Sequence, residues 1–228
     1  MMATFAIAVG VTAAAHAAVH RLVLAPLPFP GSERLVFIGQ AEGEGAPGVS
    51  SRYVLDLLDR SSTNLEGVAT FNIAGTTLTG SGDPRTLHGA IVSPDYFDVL
   101  GVRPALGRPF RSEDGGEGAP ARVIVSHALW RDRLGSDPAA VGRPVVLDGT
   151  PHEVVGVMPA DFESPDEYVF TNHIRGRPSF WITYRSDVPR TLGRSHRGVG
   201  RLTPGGSLDA LRAEAAALPG RIEEDGLS

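Results

Sequence analysis

An apolar strand, a capping serine, a helix of one or two turns and a glycine stop recur along this chain, and that repeated unit restricts it to mixed α/β architectures. Residues 87–92 read as a strand. Ser93 then offers a cap oxygen, Pro94 a preset φ and Asp95 a charge that complements the helix dipole, while Gly101 can adopt the left-handed stop. Tyr96, Phe97 and Leu100 form the buried face of that helix. The unit returns with Val123-Ile124-Val125 as strand, Ser126 as cap, Leu129, Trp130 and Leu134 as core face and Gly135 as stop. Asp137-Pro138 starts a one-turn helix ending at Gly142.

The flanking segments read the same way. Residues 35–39 are apolar and β-branched, a strand. Ser50 or Ser51 caps a helix in which Tyr53, Val54, Leu57 and Leu58 share a face. Residues 67–79 make one or two strands with a bend at Gly75. Val145-Val146-Leu147 and residues 153–157 flank Asp148-Gly149, a type I′ hairpin signal that Thr150-Pro151 lengthens slightly. Residues 162–178 read as loop, 180–184 as strand, and the Arg-rich stretch to His196 has no pattern. A strand at 198–202 and a turn at Pro204-Gly205-Gly206 follow. Ser207 caps a last helix with Leu208, Leu211, Ala215 and Leu218 at helical spacing, stopped by Pro219 and Gly220.

Composition narrows the chemistry. The 228 residues include no cysteine, which excludes disulfides, thiolate nucleophiles and cysteine-ligated metals. They include no lysine either, so Schiff-base chemistry and a phosphate-binding P-loop are excluded within this chain. A net charge of −5 gives no basic field to hold nucleic acid.

Residues 2–19 carry His16 as their one ionisable side chain, and no acidic residue precedes Glu33. A helix over this run would rise about 27 Å, close to a hydrocarbon core of about 30 Å, and Leu22 to Leu24 extend it. We read residues 1–25 as a transmembrane-like helix. A secretory signal is the competing reading, since Ala15-His16-Ala17 matches a small-x-small cleavage pattern, although no positive side chain lies in residues 1–5. Pro26, Pro28 and Pro30 then stop any helix.

No catalytic, cofactor-binding or metal-ligating residue follows from the residues. His16 and His20 share a helix face but lack a third ligand nearby. Ser126 and His127 are adjacent, yet Ser126 is better used as a cap and no nucleophile elbow surrounds it. Asp56, Asp59, Asp83, Asp95, Asp98, Asp161 and Asp166 permit carboxylate pairs without pointing to one. Residues 115–118 are glycine-rich but lack a strand-to-helix setting, so a loop tip is the simpler reading. Three Gly-Arg-Pro tripeptides, around Arg108, Arg143 and Arg177, mark turns into extended segments, with anion binding as the functional alternative.

The order of several phrases resembles the MacB-type periplasmic core domain of ABC transporter permeases, including the duplicated orphan type. They are Pro26-Leu27-Pro28-Phe29-Pro30 with Glu33-Arg34-Leu35-Val36, the run at residues 92–108, Val125-Ser126-His127-Ala128-Leu129-Trp130-Arg131, Leu147-Asp148-Gly149, Val154-Val155-Gly156-Val157-Met158-Pro159, and residues 201–208. The resemblance implies an α/β (α+β) fold in which the N-terminal transmembrane-like helix precedes a porter-like β-α-β subdomain, residues 34–84 and 180–228, with a small α/β subdomain, residues 85–170, inserted into it. It further implies a noncatalytic, periplasmic domain of an inner-membrane permease. Such a domain couples membrane-helix motion to partners outside, with a separate ATPase subunit and further permease helices as partners, no cofactor, and a homo-oligomer compatible with the role. Ala25 stands where that family commonly has Arg. The missing cytoplasmic segment, closing strand and later helices read as a truncated permease or a stand-alone domain. The other classes kept open are a secreted carboxylate-dependent hydrolase and a soluble ligand-binding module.

Overall fold

In the computed structural model, residues 28–39, 50–80, 82–115, 118–165, 177–184 and 196–217 are described. The strands are β1 (Leu35–Ile38), β2 (Leu65–Thr79), β3 (Arg85–Val92), β4 (Leu106–Gly107), β5 (Arg122–Val125), β6 (Pro144–Leu147), β7 (Thr150–Val157), β8 (Phe180–Thr183) and β9 (Arg197–Leu202). The helices are α1 (Arg52–Ser61), α2 (Tyr96–Leu100), α3 (His127–Arg133) and α4 (Leu208–Ala216). All these strands belong to one hydrogen-bonded sheet, in the order β1-β9-β2-β3-β8-β5-β7-β4, with β6 pairing both β7 and β2.

β2 organises this sheet. Its first half pairs antiparallel with β9, from Leu65 opposite Leu202 to Phe71 opposite Arg197. Its second half pairs with β3, and its end meets β6 at Leu78 and Thr79. The path β2-β3-β8-β5-β7-β6 therefore returns to β2 and closes a ring, which removes free edges along that path. Contrary to the expected bend, β2 is one strand through Gly75, which keeps its register opposite His88. Its irregularity is a bulge between Leu65 and Gly67, where Val68 N–H donates to the Asp59 carboxylate of α1 at 2.6 Å.

Alternation along the strands sends side chains to opposite faces, and three apolar clusters result. Ala69, Phe71, Ala90, Val92, Ile124, Trp181 and Val199 face α2, whose Tyr96, Phe97 and Leu100 are fully buried as the spacing predicts. Leu78, Leu87, Val123, Val125, Val145, Leu147 and Phe180 fill the ring. Val68, Leu65 and Leu202 meet Leu55 and Leu58 of α1 and Leu211 of α4.

Local signals hold where the partner is nearby in sequence. Ser51, Ser126 and Ser207 accept the N–H of Val54, Leu129 and Ala210, and Gly101 ends α2 at φ 71°. Asp148 and Gly149 both take positive φ, 46° and 76°, as a type I′ turn demands. That turn is tight: Thr150 pairs with Leu147 and Pro151 with Val146, so neither lengthens the loop. Three further expectations change. Ser93 does not cap α2, because its hydroxyl accepts the Thr70 N–H of β2 at 2.9 Å. Leu55, absent from the expected face of α1, is fully buried. Leu208 lies 43 % exposed rather than in the core. Residues 1–27 lie outside the described residues, and among those described no helix is long and apolar enough to cross a membrane.

Candidate functional site

Pro28, Phe29 and Pro30 lead the chain into the sheet, and their local chemistry makes a stiff turn. The prolines fix φ and lie exposed, while Phe29 between them is 6 % exposed. Gly31 takes φ 63°, and a 3-10 turn at Ser32–Arg34 follows, closed by Ser32 N–H to Phe29 O at 3.1 Å and Arg34 N–H to Gly31 O at 3.0 Å. Phe29 sits against Phe162 with ring centroids 6.3 Å apart. Phe162 in turn lies 5.4 Å from Trp181 and 5.9 Å from Phe97 in edge-on arrangements, which aromatic quadrupoles favour. A line of rings thus joins the lead-in to the sheet centre.

Two neighbouring residues of β9 hold the same turn. Arg201, 7 % exposed, donates from Nε to Val99 O at 2.7 Å and from Nη1 to Gly31 O at 3.2 Å. Its Nη2 is buried without a hydrogen-bond partner. Burial, and after it the charge of Arg34, lower the Arg201 pKa from its usual value. Beside it, Leu202 O accepts from Arg34 Nη1 at 3.0 Å, and the same nitrogen reaches Glu66 Oε1 at 2.7 Å. Neither Arg201 nor its carbonyl partners stood out in the sequence; an arginine inside Gly198-Val199-Gly200-Arg201-Leu202 is the signal that could have found it.

The helix on the other face is fastened by one carboxylate. Glu214 of α4 accepts from the Ser62 hydroxyl, from Thr63 N and Oγ1 at 3.1 and 2.8 Å, and from Asn64 Nδ2 at 2.9 Å. The Ser62 bond leads the donors that pull its pKa down to about 2. Four donors on one carboxylate tie α4 to the turn between α1 and β2.

The sequence candidates fall elsewhere. Arg108 grips both oxygens of Asp114 at 2.6 and 3.2 Å, Arg143 pairs with Asp137 at 3.0 Å, and Arg177 pairs with Glu163. Each guanidinium of the Gly-Arg-Pro tripeptides is thus engaged by a carboxylate, and Gly107 and Gly142 take the positive φ of turns. Asp114 is buried and also accepts from Arg122 and from Arg111 N–H. Burial pushes its carboxyl up, but these donors outweigh burial and hold the pKa below the ordinary value. Ser126 is a cap, and His127 lies edge-on to Trp130 at 5.3 Å. His16 and His20 lie outside the described residues, as do Asp166 and residues 116–117 of the glycine-rich loop. Among the described residues, no three His, Asp or Glu side chains converge to hold a metal.

The comparisons agree with one another. A profile of the MacB-like periplasmic core domain matches residues 1–218. The macrolide export ATP-binding/permease protein MacB of Neisseria gonorrhoeae is 30 % identical over 123 residues, a stretch covering 54 % of this chain and 18 % of that protein. The MacB of Neisseria meningitidis serogroup B matches to the same extent, so the aligned part is under a fifth of either relative. Among solved structures, the periplasmic region of MacB from Actinobacillus actinomycetemcomitans superposes with a TM-score of 0.64 at 12 % identity, covering 89 % of both chains. A domain of a putative permease from Porphyromonas gingivalis gives 0.62 at 15 %, covering 85 % of this chain and 86 % of that one. The extracellular domain of the noncanonic ABC-type transporter YknZ gives 0.53 at 16 %, covering 85 % and 94 %.

Proposed function

The chain belongs to the MacB-like periplasmic core domain family, and we propose that it is a noncatalytic, membrane-tethered module that carries motion of membrane helices to partners outside the membrane. The observation that supports this most is the wedging of the lead-in turn. Directly after the apolar run, Phe29 enters the aromatic core and Gly31 O is held by Arg201, contacts through which, in this reading, a displacement at residue 28 is passed to β9 and α2. A floppy tether would carry no such motion. In this reading residues 1–25 anchor the chain, a separate ATPase and further permease helices drive it, and a homo-oligomer is compatible with the role. Residues 34–84 and 180–228 form the porter-like part that receives the motion, and 85–170 form the inserted part that presents it.

The test has two arms. Membranes from cells expressing the full chain are washed with alkaline carbonate; retention in the pellet is expected, and release overturns the anchor. For coupling, the absence of native cysteine lets a single fluorophore be placed at exposed Glu153→Cys. Energy transfer from it to headgroup-labelled lipid is expected to change when ATP is added to membranes holding the chain with its co-isolating ATPase, and to change less in Arg201→Met. A signal that ignores nucleotide overturns the coupling reading.

A further inference from the structure

The ring is zipped unevenly. β6 meets β2 only at Leu78–Leu147 and Thr79–Val146, and β9 follows β2 only as far as Phe71. Between these points, among the described residues, no strand pairs with β2 on that side, and a cleft of about 260 Å³ lined by Ala74, Gly75 and Thr76 opens at the ring mouth. Its floor is Leu147 and Phe180, which are buried, and half-buried Ala74, Ile91 and Ile182 form the walls. Barrel mouths are a recurrent place for small ligands, and this volume lies just below the usual drug-sized range of about 300–1,000 Å³.

Asp148 and His152 offer acceptors at the lip, beside the hydroxyls of Thr76 and Thr150, and the Thr76 hydroxyl also bonds the Asp148 carboxylate. Asp148 is exposed, and its Oδ1 takes the Thr77 N–H at 2.8 Å, which fixes the carboxylate over the opening. His152 Nδ1 lies 2.9 Å from Thr150 O. A carbonyl can only accept, so Nδ1 carries the proton and Nε2 of the neutral ring is left as an acceptor. An apolar floor with a fixed carboxylate and an imidazole acceptor at one rim complements an apolar body that ends in a cationic donor.

We propose that the ring mouth binds a small amphipathic amine, its apolar body against Ile91 and Ile182 and its ammonium group on Asp148. The inference is independent of the coupling reading. It is tested on the full chain in lipid nanodiscs, with isoleucine methyl groups labelled for NMR. Titration with phenethylamine should shift the Ile91 and Ile182 methyls saturably while Ile124, on the opposite face, stays still; 3-phenylpropionate should shift neither. Asp148→Asn keeps an acceptor for Thr77 and suits the positive φ, so it should fold and bind phenethylamine about fivefold more weakly. Ala74→Leu should fill the cleft and abolish the shifts. The proposal is overturned if no saturable shift appears, if the carboxylate probe shifts the methyls as the amine does, or if Asp148→Asn binds the amine as tightly as the wild type.

Discussion

Arg201 Nε donates to Val99 O at 2.7 Å across 102 residues of chain. Val99 lies in the last turn of α2, where carbonyls lack helical partners and the helix dipole is negative, so a cation suits the position. The same guanidinium holds Gly31 O, and Leu35 lies opposite Arg201 in the β1–β9 ladder. One side chain thereby joins the lead-in turn, the edge of the sheet and the helix on its face. Among the described residues no carboxylate touches Arg201, so carbonyl dipoles and the more distant charges of Glu66 and Glu33 compensate its burial.

Arg201→Met should expose what that clamp is worth. Methionine keeps an apolar stem but strands Val99 O and leaves Gly31 O only the Arg34 N–H, while the relief of a desolvated charge acts in the opposite direction. We expect a net loss of about 1–3 kcal/mol in urea denaturation. Amide exchange should quicken at Ser32 and Arg34, whose N–H groups close the turn. An unchanged midpoint with unchanged exchange would show that the clamp carries no load.

What was legible in the sequence was local. Cap oxygens at Ser51, Ser126, Ser207 and Asp137 act on N–H groups two or three residues away, and a strand, cap and stop can be read from adjacent residues. Tyr96, Phe97 and Leu100 followed from helical spacing alone. Ser93 misled because a hydroxyl beside a helix start is also within reach of a neighbouring strand, and Thr70 N–H, 23 residues away, claims it. The ring closure, the Arg201 clamp and the Glu214 hub depend on pairs far apart in the chain, such as Thr79 with Val146 and Arg201 with Val99, for which no single-sequence periodicity exists. The family resemblance supplied the architecture; it did not supply those contacts.

Two glycines of the paired strands β2 and β3 should respond oppositely to alanine. A Cβ at Gly89 would lie 2.3 Å from Phe180 O and 2.6 Å from its ring, so β8 must move. Gly89→Ala should cost about 3 kcal/mol or more, in line with overpacked sites. At Gly75 nothing lies within 4 Å of the new Cβ, and alanine restricts the unfolded chain. Gly75→Ala should be neutral or stabilising by about 0.5 kcal/mol. Thermal melts of the two variants side by side check the contrast.

Asp114→Ala removes the acceptor shared by Arg108, Arg122 and Arg111 N–H and leaves two guanidinium groups without their buried counter-charge. Breaking one partner of such a cluster costs about 3–5 kcal/mol. We expect a loss in that range by chemical denaturation. Arg143→Ala, which removes only an exposed pair with Asp137, should shift stability by less than about 0.5 kcal/mol.

Glu214 predicts an acid-sensitive contribution. Its pKa is lowered from 4.5 to about 2, so the folded state favours the carboxylate, and the associated stability is present above the unfolded value of 4.5. It fades as the pH falls from 4.5 toward 2. Solvent screens this partly exposed group, so the effect should be about 1 kcal/mol rather than the full shift. Glu214→Gln should therefore be less stable than wild type at pH 7 and equal to it near pH 2, measured by denaturation at both.

Phe29→Ala tests whether the lead-in is wedged or merely adjacent. The ring is 6 % exposed and meets Phe162, which packs edge-on to Trp181. Truncation of a buried phenylalanine costs about 3–5 kcal/mol when the site cannot collapse. Here the ring sits on a surface turn between two exposed prolines, and the turn can settle into the space left, so we expect about 2 kcal/mol, below the range for an enclosed core site. Phe29→Leu should recover most of it by refilling the volume. The emission of Trp181 should change in Phe29→Ala through the released Phe162 and return in Phe29→Leu, whereas a loss of stability with unaltered emission would place the cost outside the aromatic line.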